Sequence, residues 1–199
     1  MKNVIKIAIT GKIGSGKTTL CNIVKEIGYK VYESDKEVDK LLKRAEVIKE
    51  VESIYKGKIE NLIDNNGGIN KKDLGNFLFS NKKELNKLEK LLYPLLEAQK
   101  KKFIKENFNE EFIFFDIPLL FEKKMHKKFD KIIFLDVSQE IQKKRVMKRK
   151  GMSKSKLNNI LNNQSYDINS FKKFISVHIN SSKSKKILAY EIKSFLEKL

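Results

Sequence analysis

The sequence predicts an α/β protein in which helices flank a parallel β-sheet. Short apolar runs rich in β-branched and aromatic residues alternate along the chain with longer segments of helical periodicity. This alternation is typical of parallel strands joined by right-handed helical crossovers. The first apolar run, Val4 to Ile9, leads into a glycine-rich loop and then a helix. We expect the 199 residues to form one domain, since domains usually hold about 100–200 residues.

The elements follow from local patterning. Apolar runs with β-branched and aromatic residues predict strands at residues 4–9, 30–32, 112–116, 131–136 and 175–179. After the glycine-rich loop, apolar residues at helical spacing continue as far as Gly28, which closes the first helix. Similar spacing predicts helices at residues 35–44, 46–55, 71–79, 82–106, 138–150 and 183–198, and one more that Ser153 caps. Two asparagines and two glycines predict a turn at residues 65–68.

Composition restricts the functional classes. The formal net charge is +18, and all but three of the 43 basic residues are lysines spread along the chain. Such a dispersed excess is typical of solvated surface, so we expect no nucleic-acid partner, although the charge favours polyanionic substrates. No apolar run reaches the length of a membrane span. The single cysteine, Cys21, fits a core position and a reducing compartment, and the first strand leaves no room for a targeting signal. We therefore expect a cytoplasmic protein.

The loop after the first strand is the most informative segment. Residues 11–18, GKIGSGKT, match G-x-x-x-x-G-K-[ST] with a predicted strand before and a helix after. Glycines let the backbone close around phosphates, and the helix N-terminus adds partial positive charge. Lys17 reaches the β- and γ-phosphates, and the Thr18 hydroxyl ligates Mg²⁺. We expect this P-loop to bind ATP through Gly11, Ile13, Gly14, Ser15, Gly16, Lys17, Thr18 and Thr19.

Two short segments match GTPase motifs by chance. Asp64 to Gly67 fits D-x-x-G, and Asn70 to Asp73 fits N-K-x-D. In a GTPase these motifs follow separate strands and lie far apart, whereas here they are adjacent and no strand precedes the second. A GTPase is therefore not expected.

Two carboxylates favour a kinase. Asp35 ends the second predicted strand and Asp116 the third, at the sheet edge where α/β proteins bind substrates. One carboxylate can accept the proton of an attacking hydroxyl while the other holds the water shell of Mg²⁺. Asp35 also suits a helix N-cap, and the sequence leaves open which of the two is the base.

Two of the three arginines, Arg145 and Arg149, lie four residues apart on a predicted helix and hence on one face. Arginine provides planar, two-pronged contacts to phosphate that lysine does not. We expect this pair to stabilise the charge of a transferring phosphoryl group. The alternative is an exposed helix face.

The order of these segments resembles the dephospho-coenzyme A kinase family. The matching segments are residues 9–18, 31–35, 64–79 and 88–96, followed by Arg145, Arg149, Ser153, Gln164 and Asn180 in register. The most distinctive match is the run from Asp116 to Glu122, DIPLLFE. The family usually has aspartate at Glu33, arginine at Lys40, histidine at Tyr93 and basic residues at Ile160 and Ser170. None of these departures touches the P-loop, Asp35 or Asp116.

The resemblance implies a P-loop kinase fold and ATP-dependent phosphorylation of the ribose 3′-hydroxyl of dephospho-coenzyme A. It implies a helical acceptor-binding region at about residues 60–106 and a lid at about 138–165. The implied catalytic residues are Lys17, Asp35, Arg145 and Arg149. Asp35, Asp116, Pro118 and Leu119 would contact the acceptor, Asn180 the nucleotide, and Thr18 and Asp116 the Mg²⁺.

Two other functions remain open. The chain can be another P-loop kinase that acts on a nucleotide or small hydroxyl compound. It can also be a nucleic-acid-stimulated ATPase, which only the charge favours. We expect a monomer or a small homo-oligomer that does not associate with membranes.

Overall fold

A five-stranded parallel β-sheet forms the centre of the fold, as the alternation of strands and helices predicts. A computed structural model describes residues 4–164, apart from the side chain of Asn163, and residues 167–199. In chain order the strands are β1 (Ile5–Thr10), β2 (Lys30–Glu33), β3 (Phe112–Asp116), β4 (Lys131–Asp136) and β5 (Val177–Asn180). They lie in the order β2-β3-β1-β4-β5. The predicted α/β fold class is therefore confirmed.

Eight α-helices occur in the described part of the chain. They are α1 (Lys17–Glu26), α2 (Ser34–Leu41), α3 (Ala45–Tyr55), α4 (Lys71–Ser80), α5 (Lys82–Glu106), α6 (Gln139–Met147), α7 (Lys154–Asn163) and α8 (Lys185–Leu196). Two 3₁₀ helices, Met125–Lys128 and Ile168–Phe174, have no counterpart among the predicted elements. No helix in the ranges that the structure describes is long and apolar enough to cross a membrane.

The chain divides into two units. The first contains the residues up to Glu33 and Asn107–Leu199, which include the sheet; the second is Ser34–Glu106. In the first unit, β-branched and aromatic residues of the strands pack against apolar faces of α1 and α8. This core includes Ile7, Ile9, Phe114, Ile133, Leu20, Val24, Leu188 and Ile192, and it also encloses Cys21. Cys21 is a buried core residue, as expected.

The second unit consists of α2 to α5 around a core of its own. The core includes Val47, Val51 and Tyr55 of α3, Leu74 and Leu78 of α4, and Leu88 and Leu92 of α5. The Tyr55 hydroxyl donates a 2.8 Å hydrogen bond to the backbone carbonyl of Glu84 and so links α3 to α5.

The GTPase-like matches are turn and cap residues of the second unit. Asp64 Oδ1 accepts hydrogen bonds from the backbone amides of Asn66 and Gly68. Asn70 caps α4 by accepting from the backbone amide of Asp73 at 3.2 Å, and its Nδ2 donates to Asp73 Oδ2 at 2.7 Å. Local polar side chains of this kind stabilise turns and helix starts. This explains both matches without a nucleotide.

Several predicted boundaries are wrong, including both ends of α8, which spans Lys185–Leu196 instead of residues 183–198. α2 ends at Leu41 instead of residue 44. α6 ends at Met147 instead of residue 150, because the Arg149 amide bonds the Val146 carbonyl and Gly151 adopts a positive φ of 77°. β5 begins at Val177 instead of residue 175, because the Ile175 amide bonds the carbonyl of Lys172 in the preceding 3₁₀ helix. Helix and strand ends depend on single hydrogen bonds that periodicity does not specify.

Candidate active site

The glycine-rich loop joins β1 to α1 as the motif predicts. Gly16 caps α1 with a φ of 91°, and as a glycine it brings no side chain to the first backbone amides of the helix. A Cβ atom at Gly16 would lie only 3.2 Å from Ser181 Oγ. Thr18 and Thr19, in the first turn of α1, are exposed. The N-terminus of α1 therefore presents helical N–H groups and its partial positive charge to an anion.

The Lys17 side chain lies along this loop. Its ammonium group donates a 2.7 Å hydrogen bond to the backbone carbonyl of Gly11. The loop is also closed by a turn in which the Ser15 amide bonds the Lys12 carbonyl at 3.0 Å. The lysine is thus held at the loop, where the motif places the contact to phosphate.

Arg145 lies beside the loop. From the last turn of α6, its guanidinium bonds the Ser181 hydroxyl and the Ser181 carbonyl, each at 2.9 Å. Its Nη1 also lies 3.4 Å from the Gly14 carbonyl. The structure therefore places one arginine of the predicted pair at the P-loop. Its contacts are planar and two-pronged, as arginine permits.

Arg149 does not share a helix face with Arg145. α6 ends at Met147, and Arg149 lies exposed in the turn that follows. The expectation that the two arginines lie on one helical face is wrong, because a 3₁₀-type hydrogen bond and Gly151 terminate the helix early. A catalytic role for Arg149 stays a prediction that no longer depends on helical spacing.

Two buried glutamines contact the loop, and neither was a predicted site residue. Gln142 Nε2 donates to the Ile13 carbonyl, and Gln164 Oε1 accepts from the Ile13 amide, each at 2.8 Å. Both residues are about 7% exposed. Gln164 forms part of the sequence resemblance, but no local motif connects either glutamine with the loop.

A group of carboxylates lies at the same sheet edge. Asp116 ends β3 and lies opposite Ile9 of β1 and Glu33 of β2. It is a largely buried residue. Burial raises the pKa of the neighbouring Cys21 thiol, and the negative charges of Asp116 and Glu33 raise it further. The thiol therefore stays protonated and unreactive, while Asp116 supplies oxygen close to the P-loop strand.

Glu122 is a further acidic group that the sequence did not single out as a site residue. Burial raises the pKa of its carboxyl group, and the positive charges of Lys17 and Lys12 partly oppose this shift. Glu122 therefore lies within electrostatic reach of the loop lysines. The only sequence signal for it is its place at the end of DIPLLFE.

The other predicted residues lie at the ends of elements. Asp35 is exposed in the first turn of α2, directly after β2, and belongs to the second unit. In the turn after β3, Pro118 is half-buried and Leu119 is exposed. Asn180 ends β5, and its Oδ1 accepts a 2.9 Å hydrogen bond from the Ser182 amide. Residue 165, the last of the predicted lid, lies outside the described residues.

The donor atoms suit Mg²⁺ better than a transition metal. Among the described residues, no three His, Cys, Asp or Glu side chains form a metal-binding group. Mg²⁺ does not need such a group, because it usually keeps several waters and takes one or two protein oxygens together with substrate phosphates. The exposed Thr18 hydroxyl and the Asp116 carboxylate are oxygen donors of the required kind.

Comparison with known proteins decides the family. A sequence model described as "CoaE: Dephospho-CoA kinase" matches residues 5–185. The chain belongs to the dephospho-CoA kinase family. It is 34% identical to the dephospho-CoA kinase of Bartonella quintana over 152 residues, which cover 75% of each protein. It is 32% identical to that of Agrobacterium fabrum over 197 residues, 98% of each.

A solved structure of the family agrees with the fold. The dephospho-CoA kinase from Campylobacter jejuni superposes with a TM-score of 0.67 at 25% identity, covering 97% of this chain and 96% of the other. The predicted resemblance is confirmed, and the chain is a nucleotide-binding kinase that phosphorylates an alcohol group. The roles of its individual residues stay predictions.

Proposed function

We propose that this protein transfers the γ-phosphoryl group of ATP to the ribose 3′-hydroxyl of dephospho-coenzyme A, giving coenzyme A and ADP. The observation that carries the proposal is the P-loop, in which Lys17, the N-terminus of α1 and the guanidinium of Arg145 are placed around one loop. Family membership supplies the acceptor.

Phosphate binding rests on the loop itself. We propose that the backbone of Gly11 to Gly16 and the first turn of α1, with Thr18 and Thr19, hold the β- and γ-phosphates. Lys17 exchanges its contact with the Gly11 carbonyl for phosphate oxygens, a change from a neutral to a charged acceptor that strengthens its hydrogen bond. Asn180 is proposed to contact the nucleotide.

Mg²⁺ fits the same region. Thr18 and Asp116 are the residues proposed to hold it, directly or through water. When bound, the ion neutralises part of the phosphate charge.

Transfer of the phosphoryl group needs a base and cations. Asp35 is proposed to orient the acceptor hydroxyl and take its proton, which is the role of the catalytic aspartate in many kinases. Lys17, Arg145 and Arg149 stabilise the charge that spreads over the phosphoryl oxygens. Arg145 is already fixed beside the loop by Ser181, so it reorganises little during the reaction.

Binding of the acceptor and exclusion of water from the site are assigned to other segments of the chain. We propose that the helical segment at about residues 60–106, with Pro118 and Leu119, binds dephospho-coenzyme A. The segment at about residues 138–165 would act as a lid that excludes water, since an open site hydrolyses ATP. A cytoplasmic location belongs to the same proposal, because a single buried cysteine fits a reducing compartment.

A panel of acceptors tests this function. ADP release is measured by a coupled assay with dephospho-coenzyme A, AMP, CMP, shikimate and RNA in separate reactions. We expect dephospho-coenzyme A to give the highest kcat/KM by a wide margin, with only slow ATP hydrolysis when no acceptor is present. Preferential turnover of AMP, CMP or shikimate would identify a different kinase. Stimulation by RNA would identify a nucleic-acid-dependent ATPase.

A further inference from the structure

Two buried amides engage both backbone groups of one P-loop residue. Gln142 Nε2 donates to the carbonyl oxygen of Ile13, and the amide of Ile13 donates to Gln164 Oε1, each at 2.8 Å. Gln142 lies in α6, and Gln164 follows directly after α7. Both glutamines are about 7% exposed, so neither is an ordinary surface side chain. Elements that are distant in sequence thus meet at Ile13.

The loop geometry explains why Ile13 needs these partners. The Ser15 amide bonds the Lys12 carbonyl at 3.0 Å, which makes Ile13 and Gly14 the central residues of a tight turn. That turn bond uses neither the N–H nor the C=O of Ile13. Polar backbone groups that are kept from water require hydrogen-bond partners. The two glutamines supply them from side chains.

The polarity of the two contacts is fixed. A backbone N–H can only donate and a backbone C=O can only accept, so Gln164 must present its oxygen and Gln142 its NH₂ group. The two side chains are therefore not interchangeable. A substitution that keeps the accepting atom suits position 164 but not position 142.

The loop has little space to shift on this side. Gly14 has a φ of 76°, and a Cβ atom there would lie 2.7 Å from Val146 Cγ2 on α6. The next residues, Ser15 to Lys17, lead straight into the N-terminus of α1. A displacement of Ile13 would therefore move the amides that face an anion.

We propose that Gln142 and Gln164 are positioning residues for phosphoryl transfer, which act through Ile13 to hold the P-loop in its phosphate-binding conformation. Gln164 also ties the loop to the end of α7, so that nucleotide binding and the position of α7 are coupled. This inference rests on the proposed function, because it assumes that the loop binds the phosphates of ATP.

Paired substitutions by glutamate test the proposal. Gln142→Glu places a carboxylate beside the Ile13 carbonyl, and Gln164→Glu places one beside the Ile13 amide. Because both carboxylates lie next to the same residue, the two variants should repel ATP to a similar extent. ATP affinity is measured by calorimetry for each variant relative to the wild type at several pH values between about 8.5 and 5.5. At the highest pH we expect Gln142→Glu to weaken ATP binding by about 10–100-fold, since its carboxylate faces the Ile13 carbonyl. Gln164→Glu still accepts from the amide and should lose less than about 5-fold.

Lowering the pH provides the rescue. Burial raises the pKa of the introduced carboxyl group at position 142. Once protonated, this group can donate to the Ile13 carbonyl. The loss of ATP affinity in Gln142→Glu, relative to the wild type, should therefore become smaller towards pH 5.5. Gln139→Glu, which adds the same charge at an exposed position of α6, should bind ATP like the wild type throughout.

Uncharged variants serve if glutamate at position 142 prevents folding. Gln142→Met and Gln164→Met remove each hydrogen bond at similar volume, and both should weaken ATP binding while KM for dephospho-coenzyme A changes little. A fall in thermal stability with wild-type ATP affinity would overturn the proposal, as would equal losses without rescue in the two glutamate variants. Lys17→Ala distinguishes failure of this inference from failure of the proposed function. If this variant also binds ATP normally, the proposed function itself fails.

Discussion

The guanidinium of Arg145 donates one hydrogen bond to the hydroxyl of Ser181 and another to its backbone carbonyl, both at 2.9 Å. Ser181 follows β5 directly, and its amide bonds the carbonyl of Asp136 at the end of β4. Arg145 is thus anchored to the sheet edge next to the P-loop. This arrangement provides a fixed cation beside Gly14 and Gly16.

Arg145→Lys should lower turnover although it keeps the charge. A lysine ammonium lacks the planar fork that bonds both oxygens of Ser181. We expect kcat to fall by about 10–100-fold, which corresponds to the loss of hydrogen bonds worth about 1.5–3 kcal/mol. Steady-state kinetics measures the change, and Lys144→Arg, at an exposed neighbour on α6, is the control. Wild-type kcat in Arg145→Lys would remove Arg145 from the catalytic residues.

Arg149→Lys tests the arginine that the structure leaves exposed. If this residue contacts the transferring phosphate during turnover, its loss should reduce kcat and leave ATP affinity nearly unchanged, because the contact strengthens in the transition state. The control is Lys148→Arg, a conservative cation exchange at the adjacent exposed residue. If the two variants behave alike, Arg149 is ordinary surface charge.

Asp35→Asn should remove the base and retain the side-chain size. We expect turnover to fall by about 10²–10⁴-fold, the usual contribution of general base catalysis, with ATP affinity nearly unchanged. Binding and turnover are measured on the same preparation. Asp39→Asn, at another exposed aspartate of α2, is the control. Loss of ATP binding with surviving turnover would instead favour Asp116 as the base.

His126 should make the protein less stable in acid. This residue is about 8% exposed, and its ring packs against Phe121, Phe171 and Phe174. Burial lowers the pKa of His126, and the charge of Lys127 lowers it further. The unfolded chain therefore takes up the proton first as the pH falls below about 6.5, and the free energy of unfolding decreases.

Replacement of this histidine should remove that dependence. Between pH 7 and 5, the Tm of His126→Phe should fall less than that of the wild type. His178→Gln changes the other histidine, which is exposed and 3.6 Å from Asp136, and should keep the wild-type slope because exposed ion pairs contribute little. Equal slopes in the wild type and His126→Phe would contradict the assignment to His126.

The sequence predicts the part of the site that one contiguous motif forms. It does not predict the part that depends on tertiary contacts between distant segments. The P-loop is a contiguous motif, so its turn, its lysine and the helix after it follow from residues 11–18. Gln142 and Gln164 contact the loop only because α6 and the end of α7 meet at Ile13. No periodicity or spacing encodes that meeting, and glutamine has no motif of its own.

Local termination explains the misplacement of Arg149. Lysine-rich residues up to 150 suit a helix, and their spacing alone suggests one continuous face. The chain instead leaves the helix after Met147, and the positive φ of Gly151 continues the turn. Because α6 ends at Met147 and not at residue 150, Arg149 is exposed and is not paired with Arg145 on one helical face. The predicted fold class is not affected by such an error, because it depends on the apolar runs that form the strands and not on where the helices end.

The position of the transferred phosphate tests the proposed function most directly. Wild-type protein is incubated with ATP, Mg²⁺ and dephospho-coenzyme A, and the product is analysed by mass spectrometry and by proton–phosphorus correlation NMR. We predict one new phosphate on the ribose 3′-oxygen, formed in equal amount with ADP, and none with Lys17→Ala, which should keep the wild-type Tm. ADP formation without a phosphorylated acceptor, a phosphate at another position, or normal product from Lys17→Ala would contradict it.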